Sequence, residues 1–211
     1  MLRRPVMKII TISREFGSGG RELGKRLSDE MGLAYYDREI VSSIAERHSL
    51  DENYVSGALE RSVSQSYPIH FARTFSYTAS IGVNNSVGLF AEQTKLLKEL
   101  AEKGDCVIVG RAADVILSEY NPFNLFVYAD MSAKIARCIE RAPECERLSE
   151  RETAKMIRRI DSERKKIHGM ISDRTWGDRR GYHLCVNTTN VDIKKIVPEL
   201  ARYINIWYGE K

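Results

Sequence analysis

Short runs of apolar residues recur along the chain, each followed by a polar or glycine corner and then by a stretch with apolar positions three or four apart. Lys8–Ser13, Asp105–Val109, Phe123–Ala129 and Tyr182–Thr188 are near-continuous apolar runs, the pattern of strands buried on both faces. Ala34-Tyr35-Tyr36 is a shorter strand-like piece. The intervening periodicity predicts helices over Gly20–Met31, Arg38–His48, Phe90–Lys103, Ala112–Tyr120, Ser132–Arg141, Glu150–His168 and Val191–Trp207. Strands that alternate with helices in this way make a parallel sheet covered on both faces, an α/β fold.

The punctuation agrees with the periodicity. Gly32 is placed to cap the first helix at its C-terminus, and Gly104 to end another. Ser149 with Glu152 reads as a reciprocal capping box at the head of the long polar helix. Asp37, Asp51 and Asp130 are each placed to cap a following helix. The exception is 62–88, which carries one charged residue, Arg73, and is rich in Ser, Thr, Tyr, Phe and Gly. It reads as a substrate-binding insert, a contact surface between two copies of the chain, or a partly ordered loop, and a low-charge aromatic stretch of this kind is more often packing than chemistry.

Composition adds limits. At 211 residues the chain is expected to form a single domain, 1–211, with 50–90 as an acceptor-binding or dimerisation insert and 149–180 as a lid region. The net charge of +4 gives no argument for a nucleic-acid partner. It is unevenly spread, since 131–180 holds 14 Lys/Arg against 9 Asp/Glu, which suits an anionic ligand or a solvated helix. The four cysteines show no metal-ligand spacing and the apolar runs are too short to span a bilayer, so a cytoplasmic protein without a membrane segment is expected.

In open parallel sheets ligands sit at the carboxyl ends of the strands. The residues there are Arg14–Gly20, Asp37, Gly110-Arg111 and Asp130. Gly17-Ser18-Gly19-Gly20 follows a buried strand and opens a helix, a geometry that aims backbone N–H groups at phosphate. Arg14 and Arg21 bracket that turn, and Glu15 and Glu22 beside it suit magnesium, directly or through water. The cationic stretch Arg158–Lys166 puts Arg159 and Lys166 on one helical face, with Glu163 between them. Such a face can close over a phosphate chain as a lid, and the alternative is a solvated helix with internal ion pairs.

ITISREFGSGGRELGKRL, AYYDREI, VIVGRAA, FVYAD, RRIDSERKK and WGDRRGYHLCVNTT occur in this order over most of the chain. In these segments the chain resembles the cytidylate-kinase-like family of P-loop proteins. The resemblance implies a P-loop, three-layer fold with a five-stranded, mostly parallel sheet, like that of nucleoside-monophosphate kinases with a helical lid. It implies transfer of the γ-phosphoryl group of ATP, with Mg2+, to a nucleoside monophosphate of the CMP type or a related small acceptor. It assigns Arg14, Gly17, Ser18, Gly19, Gly20 and Arg21 to the donor phosphates, and Asp37, Arg111, Asp130 and Asp161 to the acceptor side. Arg159 and Arg164 fall in the lid, and with Arg21 they are the candidate catalytic cations.

The departures are specific. Aligned on G-x-x-x-x-G-K-[ST], Arg14 stands at the first glycine, Gly20 at the lysine and Arg21 at the hydroxyl residue. Arg21 is the expected substitute cation. Cytidylate kinase carries an acid after its Gly-Arg pair, and here that residue is Ala112. A nucleotide-binding regulatory protein without turnover, on the same fold, is the competing reading. A dinucleotide oxidoreductase fits the acid at Asp37 but lacks G-x-G-x-x-G, because Glu22 stands at the last glycine.

Overall fold

A computed structural model describes residues 7–37, 39–52, 55, 82–143 and 147–209. Strands β1 (Ile9–Arg14), β2 (Ala34–Tyr36), β3 (Cys106–Val109), β4 (Phe123–Tyr128) and β5 (Leu184–Asn187) form one sheet in the order β2-β3-β1-β4-β5. Every neighbouring pair is parallel. The α/β fold expected from the alternation is thus present, and the sheet is parallel throughout.

The helices are α1 (Gly20–Met31), α2 (Glu39–His48), α3 (Gly82–Glu102), α4 (Ala113–Ile116), α5 (Met131–Arg141), α6 (Glu150–Ile171) and α7 (Ile193–Trp207). Side chains of β1 and β3 alternate between two cores, as a period of two requires. Ile9, Cys106 and Ile108 pack with Ile40, Ile44, Leu97 and Leu100 of α2 and α3. Ile10, Ile12, Val107 and Val109 pack on the other face with Leu23 and Leu27 of α1 and Val197 and Ile204 of α7. Burying such side chains on both faces stabilises by roughly 1.5–3 kcal/mol each relative to exposure, and apart from the buried Thr11–Asn124 hydrogen bond the polar groups of β1 gather at its carboxyl end.

Several boundaries differ from the periodicity reading. Helix α3 begins at Gly82 rather than Phe90, so 82–88 belong to a helix, while 62–81 lie outside the described residues. The dimer contact expected through 62–90 therefore falls largely outside them too. The helix expected over Ala112–Tyr120 is a four-residue α4 followed by a 3-10 turn at Ser118–Tyr120. Helix α6 runs on to Ile171, and its Ser149–Glu152 capping box is formed. Among the described residues no helix is long and apolar enough to cross a membrane.

Candidate functional site

β1 is the central strand, and Arg14 is its last residue. From there the chain turns through Gly17 (φ 78°) and Gly19 (φ 81°) into α1. The turn is tightly enclosed. A Cβ on Gly17 would lie 2.9 Å from Cys138 Sγ and from the Lys134 carbonyl, so only glycine lets α5 lie against the loop. Ser18 is fully buried, its hydroxyl donating to the Glu15 carbonyl at 2.8 Å. Thr188 Oγ1 donates to the Ser18 carbonyl at 2.6 Å, and Arg137 Nη1 to the Gly17 carbonyl at 2.7 Å.

A part-buried charge cluster, centred on the buried Lys134, flanks this loop. Lys134 Nζ sits 2.9 Å from Glu15 Oε2 and 3.4 Å from Asp161 Oδ2, and Asp161 Oδ1 accepts the Phe16 N–H at 2.7 Å. One carboxylate thus bridges a loop N–H and an ammonium, contacts an anion would also accept. Burial pushes the Asp161 carboxyl above its ordinary value, while the Phe16 N–H, Lys134 and Arg164 oppose the shift. Asp161 thus lies against the loop, in contact with Phe16 and Lys134.

On the other side of Arg14 a cleft of about 80 Å³ opens. Arg14 comes from β1, Gly110, Arg111 and Ala112 from the end of β3, and Ile160, Glu163, Arg164 and Ile167 from α6. Trp176 reaches the same cleft from the segment after α6, where it meets the Phe126 ring edge-on at 5.3 Å. Asp37, 4 % exposed, is the acid at this edge. Its carboxylate lies 2.5 Å from Arg21 Nε and 4.0 Å from Arg14 Nη2. Arg164 Nη1 donates to the Arg14 carbonyl at 2.9 Å. Burial, then the charge of Arg164, pushes the Arg14 guanidinium down to about 9, and Asp37 only partly offsets this. That crowding of cations at a buried point favours an anion.

Below the cleft, His168 Nε2 is 3.0 Å from Asp114 Oδ2, and Ser13 Oγ donates to Asp114 Oδ1 at 3.2 Å. All three residues are buried. The pair ties α6 to α4, and the Ser13 hydroxyl extends that link to β1.

The residues expected at the site divide accordingly. Arg14, Arg111 and Arg164 line the cleft, and Asp37 pairs with Arg14 and Arg21. Gly17–Gly20 form the loop, and Arg21 is half exposed on α1. Arg159 is exposed on a face of α6 that does not line the cleft, as is Lys166, because the inward stripe is Ile157, Ile160, Arg164 and Ile167. Asp130 is exposed at the N-terminus of α5 and makes no side-chain capping bond. Glu22 is taken by Arg26 at 2.9 Å and by Arg141. Burial works to raise its carboxyl, but the bonds from Arg141 and Arg26 outweigh it and hold the group low. Lys134, Arg137 and the Asp114–His168 pair are not singled out by motif. The signal for the first two is the spacing of Lys134, Arg137 and Arg141, which share one face of α5.

The chain matches the cytidylate kinase-like family over residues 9–190. It belongs to that family. No curated protein matches it. Among solved structures, an uncharacterized protein from Eubacterium ventriosum is similar at 26% identity and TM-score 0.67, over 94% of this chain and 98% of that one. A shikimate kinase from Acinetobacter baumannii, in complex with shikimate, has 12% identity and TM-score 0.56 over 95% and 94%. A gluconokinase from Sinorhizobium meliloti has 12% identity and TM-score 0.52 over 98% and 96%. The likeness to the two kinases shows the fold, so this member of the cytidylate kinase-like family has the architecture of P-loop kinases.

Proposed function

We propose that the protein is a phosphotransferase that moves the γ-phosphoryl group of ATP to a small anionic acceptor, a nucleoside monophosphate of the CMP type or a related molecule. The observation that carries this reading is the convergence of Arg14, Arg111 and Arg164, from β1, the end of β3 and α6, on one cleft beside the glycine loop. Family membership supports the same reaction class. A cytoplasmic setting and small-molecule partners go with it.

In this reaction an acceptor oxygen bonds to the γ-phosphorus as the bond to the bridging oxygen of ADP breaks. Little covalent work falls to the protein, so positioning and charge stabilisation dominate. The start of α1 and the loop take the donor phosphates, while Arg14 and Arg164 lie where charge accumulates between donor and acceptor. Asp37 orients Arg21, and Arg111 faces the acceptor. Helix α6 serves as the lid that excludes water, with Ile160 and Ile167 as its apolar lining. Residue 112 is alanine, so an acceptor base would find no acid there.

Among the described residues no group of three or more His, Cys, Asp or Glu side chains could hold a metal ion. Arg21 stands at the Walker hydroxyl position, and the Glu22 carboxylate is held by Arg26 and Arg141. Neither of these two positions therefore offers a free ligand to a resident magnesium ion. Magnesium enters as part of the MgATP substrate, and no step is routed through a protein-held ion.

Thermal shift separates the ligand classes, because a ligand that binds only the folded state raises Tm. MgATP is expected to raise Tm and NAD to leave it unchanged, and ADP release is expected with one member of a panel of small phosphorylated acceptors. A shift with NAD and none with MgATP would overturn the reading. A MgATP shift without ADP release on any acceptor would favour the nucleotide-binding regulator, which the missing Walker lysine motivates.

A further inference from the structure

The loop lacks a lysine at position 20 and has an arginine where the first glycine belongs. The structure connects these two departures. A Cβ on Gly20 would lie 2.6 Å from Arg14 Cβ and 3.0 Å from Arg14 Cγ. The stem of Arg14 therefore runs across the face of Gly20. Its head then passes over Gly110, where a Cβ would overlap Nη1 and lie 2.6 Å from Cζ. Gly110 also has φ 76°, so that position is doubly restricted to glycine. Two glycines, distant in sequence, thus form the trough in which one arginine lies.

We propose that Arg14 is the loop's phosphate-binding cation, and that Gly20 and Gly110 are glycines because the Arg14 side chain fills the space above them. This assignment rests on the phosphotransferase reading. A Walker loop sends its cation from the start of the helix, and this loop sends it from the end of the strand. A side chain at 20 and the observed course of Arg14 exclude each other, so the exchange is reciprocal. The guanidinium is held at the junction of loop and cleft, with a side chain 15% exposed against 53% for Arg21. Arg21 pairs with Asp37 from the surface of α1, which leaves the inner position to Arg14. The ligand class is a nucleoside triphosphate, with β- and γ-phosphate oxygens meeting the planar fork of the guanidinium.

The test uses the full chain as wild type, Arg14→Gln, Arg14→Gly, Gly20→Lys and the double variant Arg14→Gly/Gly20→Lys. The MgATP Kd is read by calorimetry, and Tm confirms folding. Arg14→Gln is expected to keep Tm within a few degrees and to weaken MgATP at least tenfold. Each of Arg14→Gly and Gly20→Lys is expected to weaken it similarly, and the double variant to return to within about threefold of wild type, since it rebuilds the Walker order. Unchanged affinity in Arg14→Gln, or a double variant no tighter than the weaker single, would overturn the assignment while wild-type binding keeps the phosphotransferase reading. If wild type does not bind MgATP, that reading fails and takes the assignment with it.

Discussion

Two groups of opposite charges flank the glycine loop, and they behave differently. On the outer turn of α1, Glu22 meets Arg26 and Arg141, whose side chains are 43% and 53% exposed. On the inner side Arg14, Arg111 and Arg164 share the strand edge with the buried acid Asp37. The residue types are the same. The outer group is wet, and its carboxylate is matched, so each pair is worth about 0–1 kcal/mol. The inner group is crowded with like charge at a point where water is scarce, and an added anion gains most there. Charge alone did not distinguish them in the sequence; burial does.

The contrast breaks first at Arg164, which reaches both the Arg14 carbonyl and the cleft. Arg164→Ala is expected to cut kcat for ADP release by about 10²–10³, the usual cost of losing one preorganised donor. A change below threefold would remove the inner group from the chemistry. Next, Asp114→Ala leaves the Ser13 hydroxyl and His168 without their shared carboxylate under the cleft. Denaturant unfolding should show a loss of about 1–3 kcal/mol. No loss would mean that the apolar stripe of α6, with the Arg164 and Asp161 bonds to Arg14 and Phe16, is enough to hold the helix in place.

Gly110→Ala sharpens the inner side further. The substitution meets a positive φ and the Arg14 guanidinium together, so a stability loss of about 1–2 kcal/mol is expected. Weaker MgATP binding should accompany it, as Arg14 is displaced. The smallest effects belong outside. Glu22→Gln and Arg159→Ala should each change unfolding free energy by no more than about 0.5 kcal/mol, with ADP release within twofold of wild type. A tenfold fall for either would erase the distinction drawn between the two groups.

The fold was largely legible because apolar runs and helical spacing report burial directly. The strand cores, the Ser149–Glu152 capping box and the glycine loop all stand where the pattern puts them. The site was legible only in part. Arg14, Arg111, Arg164 and Asp37 come together because strand ends converge in a parallel sheet, which the alternation implies. Helical spacing within α6 gave a cationic face through Arg159 and Lys166, but the apolar stripe Ile157, Ile160 and Ile167 turns that face to solvent and brings Arg164 inward. Lys134 stayed hidden because a lysine on an amphipathic helix ordinarily faces water, and only the packing of α5 on Gly17 buries it. The course of Arg14 across Gly20 and Gly110 depends on a contact between distant segments that no local pattern encodes.

A crystal structure with a non-hydrolysable ATP analogue and magnesium would show which side chains hold the phosphates. Terminal phosphates are expected at the N-terminus of α1, with the γ-phosphate within hydrogen-bond distance of the Arg14 and Arg164 guanidinium groups. A nucleotide bound away from the Gly17–Gly20 turn, with neither arginine touching a phosphate, would contradict that expectation.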